Sequence, residues 1–95
     1  MIASFGDRAT EALYHSQRGR LRRIPPDVRA VAIRKLDMLN CAKELRDLSS
    51  PPSNHLHPLH GDRQGEWAIS VSGPWRLCFK FQEGDVFAIE LVQYH

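Results

Sequence analysis

The chain has 95 residues, with thirteen Lys and Arg against eleven Asp and Glu, two cysteines, and no apolar run near the roughly 20 residues that cross a bilayer. That length fills one core and not two, which predicts a single domain over residues 1–95. Cys41 and Cys78 are too few for a disulfide scaffold and lack metal-ligand spacing, and residues 1–7 lack the basic start and long apolar stretch of a signal peptide, so a reduced, cytoplasmic protein is expected rather than a secreted, membrane or fibrous one.

Ile2 to Phe5 is short, apolar and β-capable, and reads as an edge strand. Asp7 is placed to cap a first helix, with Glu11 in its first turns and Ala9, Ala12 and Leu13 on one face. Gly19 and the cluster Arg18, Arg20, Arg22 and Arg23 break that pattern. Pro25-Pro26-Asp27 starts a second helix, because proline is tolerated where the first N–H groups have no helical partner. Its apolar stripe is Val28, Val31, Ala32, Leu36 and Leu39, and it should run to about Ala42. A further turn or two over 43–48 precedes Ser49 to Asn54, a loop by composition.

His57 to Gly61 can form a short strand, after which the hydrophobic period changes to two. Trp67, Ile69 and Val71 alternate with polar or small residues, and so do Trp75, Leu77, Phe79 and Phe81 beyond the turn Ser72-Gly73-Pro74. A second turn over 82–85 leads to Phe87, Ile89 and Leu91. This pattern predicts three antiparallel strands joined by short hairpins and apolar on one face. The expected architecture is α+β, with two N-terminal helices packed on one face of a small antiparallel sheet.

The charge is uneven. Arg18, Arg20, Arg22, Arg23, Arg29, Arg34 and Lys35 face a single acid, Asp27, within one stretch. Clustered arginines suit a polyanion, nucleic acid first, since the guanidinium matches phosphate and stacks on bases. Arg76 and Lys80 fall on alternate positions of one strand and share the face turned away from the helices, where two cations on an open sheet can receive an anion.

His55, His57 and His60 lie within six residues, and His95 follows Tyr94 at the end of the sequence. Histidine takes or gives a proton near neutrality. RNA cleavage needs one group to deprotonate the 2′-hydroxyl, another to protonate the leaving 5′-oxygen, and a fixed cation for the phosphorane. Histidines, a tyrosine and an arginine meet that need. A metal site is the other use of His-x-His-x-x-His, with Cys41 or His95 completing the set.

Taken in order, several stretches resemble the HigB family of toxins within the RelE superfamily. They are Ile2 to Asp7 with Thr10-Glu11-Ala12-Leu13-Tyr14, Arg34 to Leu39 with Leu45-Arg46-Asp47-Leu48, Pro51 to Asn54 leading into Leu56 to Gly65, Trp75 to Phe79, and Val92-Gln93-Tyr94-His95. The resemblance covers essentially the whole chain. It implies a compact RelE-like fold and a ribosome-dependent mRNA endonuclease that cuts codons in the decoding site without metal or cofactor. It also implies a HigA-like helix-turn-helix antitoxin as partner, with operator DNA bound by the toxin–antitoxin complex.

The family's active-site positions fall on His57, Arg76, Tyr94 and His95, with His60 and Arg63 nearby; these two, and Lys80 from its place on the Arg76 face, are the expected substrate contacts. In that scheme Arg76 holds the scissile phosphate, and His57 and His95 share the base and acid roles in an order left open. Tyr94 stacks on or hydrogen-bonds the substrate. Arg18, Arg20, Arg22, Arg23, Arg29, Arg34 and Lys35 would dock on ribosomal RNA. The chain departs from the family at His60, where lysine is usual, and at Gln93, where aspartate is usual. These two departures support an alternative in which a catalytically weakened module acts mainly in antitoxin binding and operator autoregulation.

Overall fold

The computed structural model describes residues 1–16 and 24–94. Arg18, Arg20, Arg22, Arg23 and His95 lie outside the described residues. Helix α1 spans Arg8–Ser16 and α2 spans Pro26–Cys41. Single 3₁₀ turns follow at Leu45–Ser49, Pro52–Asn54 and Gly61–Arg63. Strands β1 (His57–Pro58), β2 (Trp67–Ser72), β3 (Trp75–Gln82) and β4 (Asp85–Gln93) form one antiparallel sheet in that order. The α+β architecture therefore holds, with both helices on one side of the sheet.

Each helix starts where the local chemistry directs it. The backbone N–H of Thr10 donates to Asp7 Oδ1 at 2.8 Å, so Asp7 caps α1. Pro26 opens α2, whose residues Val28, Ala32, Leu36 and Leu39 are buried. They pack with Leu13 and Leu48 against Ile69, Val71, Leu77, Phe79, Val86 and Ile89 of the sheet. Thr10 is also buried, and its Oγ1 accepts the Leu91 N–H at 2.9 Å, which fastens α1 to β4.

Two local corrections follow from β4. Phe87 does not share the helix-facing side with Ile89. Ala88 takes a left-handed φ of 53°, and the β3–β4 register shifts between Cys78 and Lys80. Beyond this bulge Phe87 lies opposite Lys80 on the far face, and Val86 takes its place in the core. The same bulge interrupts the expected strand at Ile2 to Phe5. That segment makes two separate parallel bridges to β4, Ile2 with Val86 and Phe5 with Ile89. Between them the Ala88 N–H is satisfied by the Ser4 hydroxyl at 2.9 Å instead of by a carbonyl.

The 49–54 segment is better ordered than its composition indicates. Asn54 is buried, and its Nδ2 donates to Leu48 O at 3.0 Å and Ser50 O at 3.3 Å while Oδ1 accepts from Lys35 Nζ. Asn54→Ala leaves two carbonyls and an ammonium without partners. It should lower stability by roughly 2–3 kcal/mol, read as a shift of the urea midpoint at unchanged m-value.

Candidate active site

The face of the sheet away from the helices carries the polar residues of interest. Directly opposed residues in antiparallel strands point the same way. The register runs His57 to Ala68 to Cys78 to Glu90 across all four strands, with Ser70, Arg76 and Val92 in the next row. Tyr94 continues the alternation of Glu90 and Val92. His57, Arg76 and Tyr94 are thus brought onto one surface, and His57 stands two strand spacings, ~10 Å, from the β3 axis.

His57 is oriented by backbone. Its Nδ1 lies 2.7 Å from the His55 carbonyl oxygen. A carbonyl only accepts, so Nδ1 carries the hydrogen and Nε2 is the nitrogen left to exchange a proton. His55 aims that carbonyl by adopting a left-handed φ of 49° at the end of the Pro52–Asn54 turn. Its own Nδ1 lies 3.3 Å from Ser70 Oγ on β2.

Arg76 and Tyr94 are both fastened to the β2–β3 turn. Arg76 Nη1 donates to Gly73 O at 2.6 Å and Trp75 O at 2.9 Å. The Tyr94 backbone N–H donates to Pro74 O at 2.8 Å. Gly73 sits at φ 53°, where a side chain is disfavoured, so the turn chemistry is part of the site. No carboxylate among the described residues pairs with Arg76, and its Nη2 and Nε donors remain for an anion.

The face is not open throughout. Ala68 and Cys78 are both fully buried on it, which corrects the picture of an exposed strip from Arg76 to Lys80. Tyr94 folds back so that its hydroxyl lies 3.4 Å from Cys78 Sγ. Burial pushes the Cys78 thiol pKa up. The contact with Cys78, with burial second, pushes the Tyr94 hydroxyl above its ordinary value, so it stays protonated and available as a donor.

The remaining expected contacts are distributed unevenly. Lys80 and His60 are exposed. Arg63 is engaged by Glu66 at 3.1 Å and Glu90 at 3.2 Å. Gln93 pairs with Trp75, on the side of β4 opposite to Tyr94. Arg29 is half-buried and Arg34 exposed on α2, whereas Lys35 is turned inward to Asn54. Burial first, and Arg34 second, lower the Lys35 pKa. Among the described residues no group of three or more His, Cys, Asp or Glu is placed to hold a metal ion. No helix among them is long and apolar enough to cross a membrane. Ser70, Cys78, Glu66 and Glu90 belong to this surface without having been singled out. The small, uncharged Ala68 and Cys78 at polar-face positions were the available signal.

Comparison with known proteins places the chain among toxins. The chain is 34% identical over 96 residues to Endoribonuclease HigB of Proteus vulgaris, covering 100% of both chains. It is 33% identical over 84 residues to Toxin HigB-1 of Vibrio cholerae, covering 88% of this chain and 87% of that one. An uncharacterized protein of Haemophilus influenzae is 36% identical over 64 residues, 67% of this chain and 63% of its own. Residues 3–95 match the model of the HigB-like toxin family, and with the α+β fold and a relative aligned from end to end the chain belongs to that family of RelE-like toxins of type II toxin–antitoxin systems.

Proposed function

We propose that this chain is a ribosome-dependent mRNA endonuclease, a single-domain cytoplasmic toxin that cuts translated message in the decoding site. The observation that carries this reading is the shared sheet face. It carries a histidine whose Nδ1–H is held by a carbonyl, an arginine with no carboxylate partner among the described residues, and a protonated tyrosine. The Proteus relative named as an endoribonuclease supports the same chemistry.

In the proposed reaction one of His57 and His95 takes the 2′-hydroxyl proton as O2′ bonds to phosphorus. The phosphorus–O5′ bond breaks, and the other histidine protonates O5′. The products are a 2′,3′-cyclic phosphate and a 5′-hydroxyl. Arg76 faces the two charges that accumulate on the phosphorane, and the Tyr94 hydroxyl donates to the substrate. His60 and Lys80 contact flanking phosphates, His60 standing where the family usually has lysine. The chemistry assigned here uses no metal or cofactor.

The type II family implies an antitoxin partner. We assign it as a HigA-like helix-turn-helix protein whose complex with the toxin binds operator DNA. Ribosome docking falls to Arg18, Arg20, Arg22, Arg23, Arg29, Arg34 and Lys35. In support, Arg34 and Lys35 line a groove of about 600 Å³ with Val31, Met38 and Pro51. Reversing the charges of Arg20, Arg22 and Arg23 should weaken co-sedimentation with ribosomes and flatten its salt dependence, by about one unit of log–log slope for each phosphate that is no longer neutralised. Unchanged co-sedimentation would remove the docking assignment.

Purified chain, ribosomes and message together test the reading as a whole. Cleavage is expected only when ribosomes are present. His60 and Gln93 favour the second reading, a weakened module, for which message stays intact while antitoxin and operator binding persist.

A further inference from the structure

The buried middle of the active-site face has an ionic roof. Arg63 ends the Gly61–Arg63 turn, Glu66 immediately precedes β2, and Glu90 lies on β4 directly opposite Cys78. Both ion pairs leave the same nitrogen, Arg63 Nη1, so both of its hydrogens are committed. The bridge therefore runs from the turn that follows the His57 segment, across β3, to β4, the strand that leads into Tyr94. The three side chains are each less than one-third exposed. Gly6 abuts Glu90 from the other side. A Cβ there would stand 2.5 Å from Glu90 Cγ, so the absence of a side chain at Gly6 leaves room for the Glu90 stem.

We infer that Arg63, Glu66 and Glu90 form an ion-paired clamp that holds Tyr94 over Cys78 and the His57 segment against β4, and that Arg63 is a positioning residue and not a substrate contact. This inference rests on the endonuclease reading for its effect on rate, but not for its effect on structure. The charges argue against a direct phosphate role. One guanidinium between two carboxylates makes a trio of formal charge −1, which repels a phosphate, whereas Arg76 stands without a carboxylate partner among the described residues. The geometry argues for the clamp. Cys78 Sγ touches the Tyr94 hydroxyl, and Arg63, Glu66 and Glu90 are all close enough to Cys78 and Arg63 and Glu66 to Tyr94 to act on their ionisation. Losing the bridge releases the Glu90 side chain and uncovers Cys78, the seat of the Tyr94 hydroxyl, and a misplacement of that hydroxyl by about 1 Å is enough to cost on the order of 10²-fold in rate.

The test compares Arg63→Met with the double variant Glu66→Gln/Glu90→Gln, each in the full chain with its fold checked by circular dichroism. The double variant keeps the Arg63 charge and releases it from both carboxylates. The clamp predicts that both variants lose kcat together, roughly 10²-fold, at nearly unchanged KM for ribosome-bound message. Arg63→Lys, whose single nitrogen can also serve two carboxylates, should recover part of the loss. A double variant that retains or gains activity, or binds message more tightly, would overturn the inference and make Arg63 a phosphate contact.

A second readout is independent of catalysis. An aromatic disulfide reagent should titrate one fast thiol in the parent, the exposed Cys41, and two in either variant as Cys78 is uncovered. Folded variants in which Cys78 stays protected would also overturn the clamp. If the parent itself cut no ribosome-bound message, the endonuclease reading would fall, and the thiol titration would still decide the clamp.

Discussion

Replacing Arg76 with alanine is expected to lower the rate of mRNA cleavage by about 10²–10³-fold and to abolish growth arrest, while the protein stays folded. The expectation follows from where the guanidinium stands. It lies on the sheet face that also holds His57, and its Nη1 is tied to the carbonyls of Gly73 and Trp75. Those bonds fix the side chain without neutralising it. A preorganised cation of this kind gains most where charge develops, on the phosphorane, and less on the ground-state phosphate. The loss should therefore fall on kcat more than on KM. Arg76 lies outside the core cluster, so its removal should change stability by less than ~1 kcal/mol. Growth arrest at parental strength in a folded Arg76→Ala chain would remove Arg76 from the chemistry.

Removing either histidine of the pair should be as severe. His57→Ala and His95→Ala are each expected to reduce cleavage by about 10²–10⁴-fold, the range for a lost general acid or base. For His57 the geometry adds a check. The His55 carbonyl holds Nδ1–H and leaves Nε2 to work, so a substitution that disturbs His55 should lower the rate without removing a proton-transfer group. His55→Gly, which keeps the left-handed φ at no steric cost, should stay close to parental. Measured together, His57→Ala/His95→Ala should lose far less than the product of the single losses, because the two act as one unit. The reaction's pH–rate profile should also lose one limb in each single variant. A profile unchanged by either substitution would mean that other groups move the protons.

Much of the fold is legible in the sequence because its signals are local. Asp7 three residues ahead of Thr10, two prolines before an apolar stripe, and two Gly-containing turns between alternating runs each specify an element within a few residues. What escaped was set by contacts distant in sequence. The Ala88 bulge moves Phe87 off the core face, and nothing in its neighbours' alternation announces a left-handed alanine. Asn54 reads as loop composition until Lys35 and the Leu48 carbonyl, reached through tertiary packing, satisfy its amide.

The site divides in the same way. Arg76 and Lys80 could be placed on one face by alternation alone. His57 joined them only through the register of a two-residue strand, His57 with Ala68, which no periodicity reveals. Arg63 was legible as a cation near the histidines. Its partners were not, since Glu90 is 27 residues away and meets it only when β4 returns across the sheet. The family resemblance pointed to His57, Arg76 and Tyr94, and the register places these three on one face of the sheet.

The central expectation is that the cut runs through the 2′-hydroxyl of a ribosome-bound message. The direct measurement presents ribosomes with a message carrying a single 2′-deoxy nucleotide at the position the chain cuts in the all-ribose message. Cleavage is expected to disappear at that phosphodiester and to leave cuts elsewhere unchanged, with a 2′,3′-cyclic phosphate on the all-ribose product. Undiminished cleavage at the deoxy position, or equal cleavage of free message without ribosomes, would contradict it.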